Sequence, residues 1–203
     1  MEEIKILKVG EEVPDFEIDV YLPEKKDFGR IRLSEVYRSG KWVILFFYPA
    51  DFTFVCPTEL ADIADKYQIF REEGVEIISV STDTQYVHLA WQKEEKLLSN
   101  IKFPMGADHS QTISKTFGIY DEETGLALRG TFIIDPDGKL VASEVNYYSV
   151  GRNSEELLRK FKAFKYVREN PAEVCPAKWE PGEKTLTPGK DIVGRVGEEL
   201  DEE

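Results

Sequence analysis

Cysteine is scarce in this chain, with two among 203 residues. So few cysteines exclude the multi-bridge frameworks of small secreted domains, and a chain this long, 41% hydrophobic, can bury a sizeable core without them. Histidine is equally rare. With only His88 and His109 to join Cys56 and Cys175, and none of the four at finger-like spacing, no metal site is expected. No apolar run reaches the roughly 20 residues of a membrane-spanning helix, and Met1-Glu2-Glu3-Ile4-Lys5 lacks the features of a signal peptide. The cytoplasm is therefore the expected compartment, where cysteines are reduced, catalytic or transiently oxidised. Basic charge is also short. A formal net charge of -13 leaves no broad basic face for nucleic-acid phosphates, and part of the acidic excess lies in Glu198-Glu199-Leu200-Asp201-Glu202-Glu203, expected to be a solvated, mobile end.

What the chain does have is a cysteine where a strand hands over to a helix. Trp42-Val43-Ile44-Leu45-Phe46-Phe47-Tyr48 is a run of β-branched and aromatic residues of the length expected of a strand buried on both faces. Beyond Pro49-Ala50-Asp51-Phe52-Thr53-Phe54-Val55-Cys56-Pro57 the period changes. Leu60, Ile63, Ala64, Tyr67 and Phe70 share one helix face, and Gly74 suits a left-handed C-terminal cap. Cys56 is thus placed in a first helical turn, where unpaired N–H groups and the helix dipole favour an anion, and Pro57 fits there without loss of a bond. Two readings follow. The sulfur is a reactive thiolate, with the Thr53 hydroxyl three residues away, or it is a small buried hydrophobe among Phe52, Phe54 and Val55.

The rest of the pattern is α/β. Phe16 to Tyr21 alternates like a strand, and Asp27-Phe28-Gly29-Arg30 reads as a turn into a second, making an N-terminal hairpin. Val75 to Val80 pairs in parallel with the Trp42 strand across the Cys56 helix. Helices are expected from Thr84 to Leu98 and from Gln111 to Phe117. Strands Gly130–Ile134 and Lys139–Val145 flank the turn Asp135-Pro136-Asp137-Gly138. Asn153 or Ser154 then caps a helix with Leu157, Phe161, Phe164 and Arg168 on one face. A β-α-β unit followed by β-β-α is the thioredoxin-like fold, a central mixed sheet flanked by helices. The expected division is residues 1–168 and a C-terminal arm, 169–203, kept extended by Pro171, Pro176, Pro181 and Pro188 and poorly suited to burial on its own domain. Thr53 stands where a dithiol motif has its first cysteine, so Cys56 has no local partner. Cys175 in the arm is the only other cysteine, and either pairs with it or is incidental.

Several stretches together resemble the typical 2-Cys peroxiredoxins, specifically the bacterial-type alkyl hydroperoxide reductase C group, from about Gly10 to Gly194. They are Pro49-x-x-x-Thr53-x-x-Cys56, Pro57-Thr58-Glu59, Ser81-Thr82-Asp83-Thr84, Arg129 before Thr131-Phe132-Ile133, and Val174-Cys175-Pro176. The resemblance implies a thiol peroxidase acting on hydrogen peroxide and alkyl hydroperoxides without a cofactor. Cys56 matches the peroxidatic cysteine and Cys175 the resolving cysteine, given by the other subunit of a dimer. Thr53 and Arg129 match the groups that bind peroxide oxygen, and Pro49 the residue that shields the pocket. Glu59 and Arg152 match partners that hold the arginine, with Glu59 expected as its bidentate partner. It further implies thioredoxin or a flavoprotein as the dithiol donor and a ring of dimers, commonly a decamer, with Val87 at the contact between dimers. A thioredoxin-like disulfide oxidoreductase and a redox-sensitive oligomeric holdase or binding protein are the competing functions.

Overall fold

A computed structural model describes residues 5–201, and places the strong β-formers of the sequence in one sheet. The elements are β1 (Glu17–Leu22), β2 (Asp27–Arg32), α1 (Leu33–Arg38), β3 (Trp42–Phe47), α2 (Cys56–Glu72), β4 (Val75–Ser81) and α3 (Gln85–Glu94). There follow β5 (Met105–Ala107), α4 (Thr112–Thr116), β6 (Tyr120–Asp121), β7 (Leu126–Ala127), β8 (Arg129–Ile134), β9 (Leu140–Asn146), α5 (Ser154–Glu169) and α6 (Val196–Asp201). Seven strands form a mixed sheet in the order β2-β1-β5-β4-β3-β8-β9, while β6 and β7 pair separately. The result is the thioredoxin-like arrangement that the sequence suggests.

Inside the sheet, β3 is buried at every position, parallel to β4 (Trp42 opposite Val75) and antiparallel to β8 (Val43 opposite Ile134). A strand covered on both faces must be apolar throughout, which is why Trp42–Phe47 lacks alternation. Helix α2 makes the crossover between β3 and β4, burying Leu60, Ile63, Tyr67 and Phe70, and Gly74 follows at φ 84°.

Two local expectations need correction. Asp27 to Arg30 is strand, not turn. The reversal is at Pro23–Lys26, where Lys26 takes φ 54°, and Gly29 serves close approach, since a Cβ there would lie 2.9 Å from Leu22 Cδ1. The helix expected to Leu98 stops at Glu94. Glu95 turns extended and its carboxylate accepts from Leu97 N–H at 3.1 Å, starting a 3₁₀ turn over Lys96–Asn100. Ser154 uses its hydroxyl on the Asp62 carbonyl at 3.1 Å, and its N–H donates to the Asp62 carboxylate at 2.7 Å. Short elements α1, β5, β6 and β7 have too few residues to show a period.

By its contacts the chain falls into two units, Met1–Ser154 and Glu155–Glu203, so the boundary expected after residue 168 lies inside the second. In the first unit the sheet carries α1, α2 and α3 packed on its strands. In the second unit, the proline-rich segment is more closely held than its composition suggests. Trp179 is buried, its ring 4.9 Å from that of Tyr166. Its indole N–H donates to Glu183 O at 3.0 Å and its carbonyl accepts from Arg159 at 2.8 Å. Val174 and Leu186 exchange backbone hydrogen bonds, closing the arm into a loop. Of the acidic tail, Glu198–Asp201 belongs to α6, while Glu202 and Glu203 lie outside the described residues, as do Met1–Ile4. Among the described residues no helix is long and apolar enough to cross a membrane.

Candidate active site

Between the end of β3 and the first residue of α2, the chain from Tyr48 to Val55 is held by a buried polar cluster. The Asp51 carboxylate accepts from the Tyr48 hydroxyl at 2.7 Å and faces His88 Nδ1 at 2.7 Å, while Asp51 N–H donates to Asp83 at 2.9 Å. His88 Nε2 is 3.0 Å from the Gly106 carbonyl, which can only accept, so that nitrogen carries a proton. The Nδ1 contact ties the imidazole to the Asp51 carboxyl group. Burial pushes the Asp51 carboxyl up, and the bond from His88 pulls it down. Phe52 takes a left-handed backbone at φ 55°, with its ring 6.2 Å from that of Trp91. A non-glycine residue in that region persists only when its surroundings impose it.

These constraints deliver Cys56, buried, as the first residue of α2, with Pro57 behind it. Arg129 opens β8, the neighbour of β3, and its Nη1 donates to Cys56 Sγ at 3.4 Å and to Glu59 Oε2 at 2.6 Å. Its Nε donates to the Tyr148 carbonyl at 2.8 Å. Glu59, three residues along α2 from the cysteine, is 2% exposed and receives four bonds. One is from Arg129. The others come from Arg152: its backbone N–H at 2.9 Å, and its Nε and Nη2 at 2.8 and 3.2 Å. The bidentate fork is therefore made by Arg152, not by Arg129 as the sequence suggested. Arg129 divides Nη1 between Glu59 and the sulfur and gives its Nε to the Tyr148 carbonyl. Arg152 also donates to Gly130 O at 2.8 Å and lies 3.4 Å over the Phe46 ring. Burial pulls this guanidinium below its ordinary value, and Glu59 opposes that pull.

Thr53 is half-buried and donates its hydroxyl proton to Ala50 O at 2.8 Å, which leaves its oxygen free to accept. Pro49 is buried at the end of β3. Gly151 lets the loop after β9 close on the site, because a Cβ there would lie 3.2 Å from Val55 Cγ1 and 3.5 Å from Glu59 Cγ. A sulfur anion in this place faces a fixed cation at a helix start, which suits attack on a small polar electrophile that releases an anion.

The sequence match is decisive for kinship. A model described as the AhpC/TSA family matches residues 9–143, and one described as the C-terminal domain of 1-Cys peroxiredoxin matches residues 163–197. The chain belongs to the AhpC/TSA family. Alkyl hydroperoxide reductase C of Staphylococcus saprophyticus is 48% identical over 188 residues, covering 93% of this chain and 98% of that protein. The crystal structure of Enterococcus faecalis AhpC matches with a TM-score of 0.78 at 42% identity, over 83% of this chain and 98% of that one. Reduced 2-Cys peroxiredoxin of Plasmodium vivax matches with a TM-score of 0.87 at 32% identity, over 93% and 98%.

Within this AhpC/TSA chain, the first unit brings together Cys56, Glu59, Arg129 and Arg152, with Thr53 and Pro49 in the adjoining loop. Cys175 belongs to the second unit. It is half-buried, its Sγ 3.9 Å from Ala163 O, and burial followed by the Glu173 carboxylate pushes its thiol up against the pull of Arg159. Sequence reasoning missed the Asp51–His88 pair and the Tyr148 carbonyl. His88 and Trp91 are the two buried residues of α3, at helical spacing of three, and that spacing was the available signal for a core histidine. A backbone carbonyl offers no sequence signal.

Proposed function

We propose the following cycle for this chain, a thiol-dependent peroxidase of the peroxiredoxin kind, with a peroxide as substrate and a dithiol donor as partner. The Cys56 thiolate attacks one oxygen of the peroxide. The O–O bond breaks, the sulfur becomes sulfenic acid, and the leaving oxygen departs as alkoxide or hydroxide and takes a proton from water. Arg129 donates to the oxygen on which negative charge grows, Thr53 accepts the peroxide hydrogen, and Pro49 shields the sulfur from water. Glu59 and Arg152 keep Arg129 in place. Cys175 of the other subunit then attacks the sulfenic sulfur, forming a disulfide and releasing water, after the first turn of α2 unwinds. Thioredoxin or a flavoprotein reductase returns both thiols. The arm, residues 169–203, carries this resolving step.

The observation that carries the reading is the 3.4 Å contact of Arg129 Nη1 with Cys56 Sγ, made by a guanidinium that Glu59 fixes at 2.6 Å. Dimers assemble into a ring, likewise a proposal, supported by half-buried Val87 beside the exposed Tyr86 on α3. A Val87→Arg variant that still sediments as a large ring counts against that contact.

The test mixes reduced protein with one equivalent of hydrogen peroxide and follows intact mass and non-reducing gels, beside Cys56→Ser and Cys175→Ser. A disulfide-linked dimer in the wild type, absent from both variants, is the expected result. Wild-type protein that stays reduced overturns it.

A further inference from the structure

Arg129 has anchors of two kinds. Glu59 stands in the first turn of α2, the same turn that carries Cys56, so any unwinding there disturbs the Glu59 anchor together with the sulfur. The Tyr148 carbonyl, which accepts from Arg129 Nε at 2.8 Å, lies outside α2, in the loop whose Arg152 N–H bonds Glu59. Tyr148 itself lies in the loop that follows β9, between Tyr147 and Val150, which are 72% and 64% exposed. Its phenol is half-buried and committed. It donates to Asp121 Oδ2 at 2.8 Å, and because it has a single proton, the Thr124 hydroxyl at 2.8 Å must donate to it.

The Asp121–Gly125 turn that receives the phenol is well braced. Gly125 N–H donates to Asp121 O at 2.9 Å, Glu123 N–H donates to Asp121 Oδ1 at 2.9 Å, and the Thr82 hydroxyl, just beyond β4, donates to Gly125 O at 3.3 Å. Two residues of β7 lead from this turn towards Arg129. One residue therefore closes a circuit: the turn holds the Tyr148 phenol, the Tyr148 carbonyl holds Arg129, and the Arg129 strand leads back to the turn. We infer that Tyr148 is a positioning residue, its phenol latching the loop after β9 to the Asp121–Thr124 turn so that its carbonyl sets the Arg129 guanidinium against Cys56. This rests on the reading of Cys56 and Arg129 as the peroxide site.

The test measures the rate at which reduced full-length protein, in a Cys175→Ser background that isolates the first step, is oxidised by hydrogen peroxide, with rapid alkylation and intact mass as readout. Tyr148→Phe loses both phenol bonds and keeps the ring. It is expected to slow oxidation about fivefold, the worth of one hydrogen bond, with the thermal midpoint little changed. Thr124→Ser keeps the hydroxyl partner of the phenol and holds a near wild-type rate. In an Arg129→Lys background, itself slow, Tyr148→Phe adds nothing, because the latch acts only through the arginine. A wild-type rate for Tyr148→Phe, or a fivefold loss that persists beside Arg129→Lys, overturns the latch while leaving the peroxide site standing. An Arg129→Lys protein as fast as wild type removes the site reading and the latch together.

Discussion

Replacing Glu59 by glutamine keeps the shape of the side chain and removes its charge, at a place where two buried guanidinium groups converge. Four N–H donors now point at its two carboxylate oxygens. An amide offers one oxygen, and its NH₂ faces a guanidinium donor to donor. At least two bonds to a charged partner are then lost. At about 1.5 to 3 kcal/mol each, the variant is destabilised by about 3 to 6 kcal/mol, close to the loss of about 3 to 5 kcal/mol found when one partner of a buried ion pair is removed. The loss is not offset by water, since the Glu59 and Arg129 side chains are 1% and 4% exposed. Catalysis suffers separately. Freed from Glu59, Arg129 keeps the Tyr148 carbonyl and the sulfur, and the loss of one charge-assisted bond predicts oxidation of Cys56 slower by about tenfold or more. Denaturant unfolding of the reduced protein reads the first effect, and single-turnover peroxide oxidation the second. A midpoint and a rate both within error of wild type would refute the claim that this carboxylate organises the site.

Three further outcomes are expected. Thr53→Val removes the oxygen that accepts the peroxide hydrogen and slows oxidation by about a hundredfold, whereas Thr53→Ser keeps most of the rate; equal rates for the two would remove Thr53 from the site. Gly151→Ala forces a Cβ to 3.2 Å from Val55 Cγ1, so stability falls by about 1 kcal/mol and Cys56 oxidises more slowly, and a thermal midpoint at or above wild type contradicts this. Burial and Glu173 raise the Cys175 thiol, so its thiolate is scarce at neutral pH. Disulfide formation should quicken about tenfold per pH unit towards the raised value, since the thiolate is the attacking form; a conversion of sulfenic acid to disulfide that is flat from about pH 6 to 8 argues against Cys175 as a rate-limiting nucleophile.

The placement of Cys56 was legible because local rules produced it. The buried run Trp42 to Tyr48, the helical spacing from Leu60 to Phe70 and the turn Asp135–Gly138 each follow from interactions within a few residues, and all three appear in the structure where the pattern puts them. Weak or short signals failed for the same reason. Gly29 beside Asp27 looks like a turn until the Leu22 side chain is seen to need its missing Cβ, and the helix from Gln85 ends at a side-chain cap that periodicity does not register.

Arginine at the site was foreseen only through kinship, with Glu59 and Arg152 as its supports, but the bidentate fork expected of Arg129 belongs to Arg152. Twenty-six cationic and 39 acidic side chains allow far more pairings than local spacing can rank. Arg129, Glu59 and Arg152 are separated by 70 and 93 residues along the chain, and only the packing of β8 beside β3, with α2 crossing behind, desolvates all three at once and makes their bonds strong. By itself the sequence determined that a cysteine would stand at a helix start in a thioredoxin-like sheet, because backbone propensity and apolar period act over short distances. Which guanidinium meets the sulfur, which one forks onto Glu59, and which backbone carbonyl steadies the first were decided by tertiary structure alone, because those contacts exist only once distant strands are brought side by side and water is excluded between them.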